Sequence, residues 1–121
     1  RRSSDLILMA SGSEVSLIVE AGKRLVELGR SVRLVSFPSW ELFAEQDQAY
    51  QDSVLLPEVR ARVAVEAGVS QGWRQWVGDQ GRILALDRFG ASAPGEVVFK
   101  MFGFTPERVA ELALETLAPK G

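Results

Sequence analysis

Four short apolar runs recur along the chain with helix-sized gaps between most of them: DLILMA (5–10), SVRLVSF (31–37), RVAVEAG (62–68) and RILALD (82–87). Each ends at Gly, Ser, Pro or Asp and is apolar at nearly every position, as strands buried on both faces of a parallel sheet are. Parallel neighbours cannot be joined by a tight turn, so the segments between them must cross over, and they carry helical patterns. This alternation predicts an α/β domain: a three-layer α/β/α sandwich, Rossmann-like, around a mostly parallel sheet of four to five strands.

The helices announce themselves by spacing and by caps. Val15, Ile18, Val19, Gly22, Leu25 and Val26 repeat at three and four, predicting a helix from about Ser13 to Leu28 with that face buried. Ser11 and Glu14 read as a capping box, and Gly29 stands where a left-handed C-cap belongs. Gly22 on the buried face lets helix and sheet approach closely. A second helical stretch starts at the N-cap Ser39, runs irregularly to Leu55 and stops before Pro57. Ser92, Pro94 and the body EVVFKMF predict another helix ending near Gly103. Thr105-Pro106-Glu107 opens a last one, with Val109, Leu112, Ala113, Thr116 and Leu117 inward. Residues 1–4 read as disordered or a linker remnant, 5–118 as one domain and 119–121 as a tail.

What the chain lacks narrows its chemistry. Its 121 residues include no Cys and no His, which removes thiolate nucleophiles, zinc–thiolate sites and every Ser-His-Asp arrangement. The net charge is −2 with both signs interspersed, so no basic stripe points to nucleic acid or to an anionic membrane. No apolar run approaches the ~20 residues that span a bilayer. A cytoplasmic protein is the expectation.

Three groups of residues stand out as candidates. Ser11, Gly12 and Ser13 offer a helix N-terminus after a strand, and Ser92 lies in DRFGASAP after another; together they form a candidate anion site. The single glycine is neither a dinucleotide fingerprint nor a Walker loop. Glu66 lies inside one apolar strand and Asp87 ends its neighbour, so the two could make an acid–base pair, although structural pairing with Arg74 or Arg88 is the more economical reading. Trp40, Phe43, Trp73 and Trp76, with Arg88 and Phe89, form a candidate interface, because so many aromatics on short polar segments suit contact with another chain or domain; ordinary core packing is the alternative.

The strings LILMASGSEVSL, VSFPSWELFAEQDQAYQDSVLLP, RVAVEAGVSQGW and ALDRFGASAPGEVVFKMFGFTPERV closely resemble, in order, the C-terminal domain of transketolase. The resemblance runs from about Asp5 to Leu117, and VGDQG (77–81) fits the V-G-x-x-G that usually precedes the family's last strand. Pyruvate dehydrogenase beta subunits and deoxyxylulose-phosphate synthase share the fold and the S-G-S-E opening but not SWELF with DRFGASAP. The resemblance implies a homodimeric parent that moves a two-carbon ketol unit between sugar phosphates in the pentose phosphate pathway. It uses thiamine diphosphate and a divalent metal (magnesium or calcium), held by upstream domains. It implies no catalytic, cofactor or metal residue here; Glu66 is not the family's activating glutamate. This chain is then expected to bind no cofactor, to contribute domain and dimer contacts, and to be inactive alone. The alternatives are an independent small-molecule or anion-binding regulatory domain, or the equivalent domain of a related thiamine-dependent enzyme.

The family's sheet is mixed, with a first antiparallel strand that would lie upstream of Asp5. For this chain the expectation is four parallel strands in the order SVRLVSF, DLILMA, RVAVEAG, RILALD, leaving the SVRLVSF strand with a bare edge.

Overall fold

A computed structural model of the chain describes residues 4–37, 39–66, 74–78, 80–85, 97–98 and 105–117. The four apolar runs become strands β1 (Leu6–Ala10), β2 (Val32–Ser36), β3 (Arg62–Glu66) and β4 (Arg82–Ala85). A short strand β5 (Val97–Val98) follows, and the sheet order is β2-β1-β3-β4-β5 with every pairing parallel. The expected order of the first four holds, with β2 at an edge. The fifth strand corrects both the count of four and the helix expected over EVVFKMF, at least at Val97 and Val98. Two adjacent β-branched residues pair well along a strand edge, and here they meet Leu84 and Ala85.

Alternation along β1 divides the interior in two. Leu6, Leu8 and Ala10 join Val63, Val65 and Leu84 on one face, under Ile18, Ala21, Leu25, Val109, Leu112 and Ala113. Ile7, Met9, Ala64 and Ile83 face the other way, toward Phe37, Phe43, Leu55, Val59, Trp76 and Val77. All five β1 residues are fully buried, which explains a run with no polar position. The helices are α1 (Val15–Glu27), α2 (Trp40–Ala44), α3 (Gln48–Val54), α4 (Arg74–Val77) and α5 (Pro106–Leu117). The two long ones, α1 and α5, cover the first face. The three short ones belong to the second side, which completes the three layers.

The caps follow their sequence signals with one exception. Gly29 adopts φ +86°, its amide donates to the Val26 carbonyl, and the Arg30 amide reaches back to Leu25 at 2.9 Å, forming a Schellman motif. Ser39 Oγ accepts from the Leu42 amide as expected. Asp47, which carried no sequence expectation, accepts at Oδ1 from the Tyr50 amide. The one stretch expected from Ser39 to Leu55 therefore divides into α2 and α3, each with a side-chain N-cap. Ser11 does not cap α1 with its hydroxyl. A 3-10 turn, Gly12–Glu14, comes first, and the Glu14 amide donates to the Ser11 carbonyl instead. The buried face of α1 also ends sooner than its periodicity suggests, because Val26 is 60% exposed.

Two glycines show what the sequence needed them for. A Cβ on Gly22 would stand 3.2 Å from Leu34 Cδ2, so α1 lies close over β2 there. A Cβ on Gly81 would collide with the backbone and side chain of Val77, and Gly78 adopts φ +74°. Gly81 is therefore folded back onto Val77 before β4 begins, its amide donating to the Gly78 carbonyl. Ser4, assigned to a linker from the sequence, is already buried.

Candidate functional site

The parallel sheet gathers the carboxyl ends of β1, β2 and β3 on one edge, the usual place for a ligand in such folds. Ser11 and Gly12 lie there after β1, with Gly12 exposed at φ +61°. Ser92 lies outside the described residues, as do Asp87, Arg88, Phe89, Trp73 and the side chains of Ser13, Trp40 and Arg74. The structure thus brings together only the Ser11–Gly12 part of the expected anion site. Glu66 ends β3 half-buried and is already engaged in an interaction, as suits an acid in a core strand.

After β2 the chain builds an aromatic cluster. Phe37 and Phe43 meet edge to face at 4.8 Å, Phe43 and Trp76 at 5.0 Å, and Phe43 and Tyr50 lie 6.1 Å apart. Phe43 and Trp76 are buried, which corrects their assignment as surface anchors. Each such pair contributes about 0.5–1.5 kcal/mol beyond its buried area, so these rings hold α2 and α4 onto the sheet. Sequence spacing could not show this, because Phe37 supplies the platform from the end of a neighbouring strand.

Beside the cluster, a cavity of about 330 Å³ opens between α2 and α3, lined by residues that include Phe37, Leu42, Phe43, Gln46, Tyr50 and Val54. Gln51 Nε2 lies within hydrogen-bonding reach of the carbonyls of Phe43, Ala44 and Gln46, tying the end of α2 to α3. A second cavity, of about 200 Å³, lies between α3 and Trp76. One of its walls is Arg62, which sequence reading took only as the start of a strand.

The Arg62 guanidinium donates from Nε to the Val59 carbonyl, from Nη1 to Trp76 and from Nη2 to Leu56, at 2.7–3.0 Å. Burial pulls its pKa below the usual guanidinium value, and Asp52 pulls the other way. Three carbonyls from two separate segments converge on one planar fork, so Arg62 is a structural clamp. A charge at the head of an apolar strand was the only sequence signal for it.

Among the described residues no three His, Cys, Asp or Glu side chains cluster to hold a metal ion. Nor is any described helix long and apolar enough to cross a membrane. The arrangement suits holding segments together.

The profile of the transketolase-like TK C-terminal domain matches residues 1–105. The chain belongs to this family. It is 49% identical to transketolase 1 of Vibrio vulnificus over 94% of its own length, and 49% identical to transketolase of Halalkalibacterium halodurans over 98%. These alignments cover only 17% and 18% of the two relatives. A Pichia stipitis transketolase crystallised with a sedoheptulose phosphate superposes with a TM-score of 0.78 at 39% identity, covering 97% of this chain and 17% of that one. Transketolase from Leishmania mexicana gives 0.74 at 41% identity. The domain spans about a sixth of the length of the relatives it matches.

Proposed function

We propose that this domain is the C-terminal part of a thiamine diphosphate-dependent transketolase that transfers a two-carbon ketol unit between a ketose phosphate and an aldose phosphate in the pentose phosphate pathway. The carrying observation is the 49% identity over nearly the whole chain to transketolases of which it forms only 17–18%. Identity at that level along a full domain supports the same parent enzyme, and the proportions leave most of such an enzyme to other polypeptide.

The divalent metal of that cofactor does not fit the described residues. The chain has no His, and its described acids form no metal-sized cluster. In this reading the cofactor is held by the upstream domains of a cytoplasmic homodimer, and the present domain contributes contacts that position them.

A coupled assay of ketol transfer tests the proposal, with thiamine diphosphate and magnesium added. A longer polypeptide carrying the upstream domains should turn over a ketose phosphate and an aldose phosphate, and the 121-residue chain should not. Transfer by the short chain alone, or none by the long one, would overturn it.

A further inference from the structure

The groove between α2 and α3 combines two features that core packing leaves unexplained. Two large side chains of its lining meet solvent: Leu42 is 59% exposed and Tyr50 51%. Interleaved with its lining residues are Glu41, Glu45 and Asp47, all exposed and none in a salt bridge among the described residues. The sequence has no Lys or Arg from Leu34 to Val59. Arg33 reaches the Val54 end of the groove, but its guanidinium is committed to the carbonyls of Ser53 and Val54.

Exposed large apolar residues beside a cavity mark a contact surface when they cluster. A rim of one sign selects the opposite sign in its partner and excludes its own. The polypeptide available to supply such a partner is large, since the matched relatives extend far beyond the 17–18% aligned here.

Resting on the reading of this chain as one domain of a transketolase, we propose that the α2–α3 groove seats a basic segment from the rest of that polypeptide. An aliphatic or aromatic side chain of the segment enters the cavity between Leu42 and Tyr50. Flanking Lys or Arg side chains meet Glu41, Glu45 and Asp47.

These 121 residues contain no cysteine, so a thiol introduced into them is read in a peptide of its own. Leu42→Cys is introduced into the full-length parent, and alkylation of its peptide is followed by mass spectrometry, relative to the same protein in urea. Lys23→Cys on α1 serves as an exposed control. Labelling at position 42 should be at least about tenfold slower than at position 23. Adding Glu41→Lys and Glu45→Lys should restore it. Equal labelling at the two positions would overturn the proposal, and so would protection that survives the charge reversal. Protection lost only on dilution to monomers would assign the groove to a second subunit and overturn it as well. Ketol transfer by the unsubstituted parent is measured in parallel, so failure of the enzyme reading and failure of the groove are separate results.

Discussion

Arg62 shows how one side chain can serve as a joint. Its guanidinium satisfies carbonyls of Leu56 and Val59, before β3, and of Trp76, at α4. A half-buried cation costs desolvation, which is why burial lowers its pKa, and the hydrogen bonds offset that cost. Substituting Met keeps most of the volume and strands three acceptors, two of them in the loop that feeds β3. Arg62→Met should therefore lower stability by about 2–4 kcal/mol. Arg62→Lys should lose less but still fall short of wild type, because an ammonium cannot present a planar fork. Urea denaturation reads both as a lower midpoint at unchanged slope. Equal midpoints for all three proteins would show that water replaces the guanidinium without loss.

At the scale of elements, β1 was legible because burial on both faces leaves no polar position in Leu6–Ala10, whereas β2 was read as doubly buried although only Val35 in it is buried. Helix ends were legible where one residue type has a geometric advantage, as at Gly29 and Ser39, but the cap at Asp47 that starts α3 was missed inside a stretch taken as one helix. Errors came where a neighbour decided the outcome. Val26 fits the apolar spacing of α1 yet is exposed, because periodicity along a helix cannot tell where the sheet beneath it ends. Val97 and Val98 lie between helix-like signals yet pair with β4. The aromatic segments stood out in the sequence as a candidate interface, but Phe43 and Trp76 turn inward onto Phe37. The contact of α1 with β2 gives a test at this scale. A methyl on Gly22 meets only the end of Leu34, which is 43% exposed and free to swing outward. Ala also favours the helix by about 0.8–1 kcal/mol over Gly. Gly22→Ala should therefore raise the melting temperature by a few degrees, whereas Gly22→Ile should lower it by pushing α1 off the sheet. A drop with Ala would mean that Leu34 cannot move.

For the whole molecule, the sheet order sets a gradient of stability from its middle to its edge. β1 is paired on both sides, and every residue in it is buried beneath helices or loops. Its amides should exchange with solvent only when the whole domain unfolds. Among the described residues β2 has one paired side. The Phe37 amide donates to the Ala10 carbonyl, and peptide groups alternate in direction along a strand. The amides of Arg33 and Val35 therefore also point toward β1, whereas those of Leu34 and Ser36 point away from it. Hydrogen exchange by NMR on the 121-residue chain should resolve three tiers. Leu6 to Ala10 should be slowest and Val35 intermediate, with Leu34 and Ser36 within about tenfold of an unstructured peptide. Such an open row of donors and acceptors is also where an added strand would pair. Repeating the measurement across a range of concentrations separates the two states: fast exchange at Leu34 and Ser36 throughout identifies a bare edge. Uniform protection along β2 would mean that another strand closes it and that stability does not fall toward that edge.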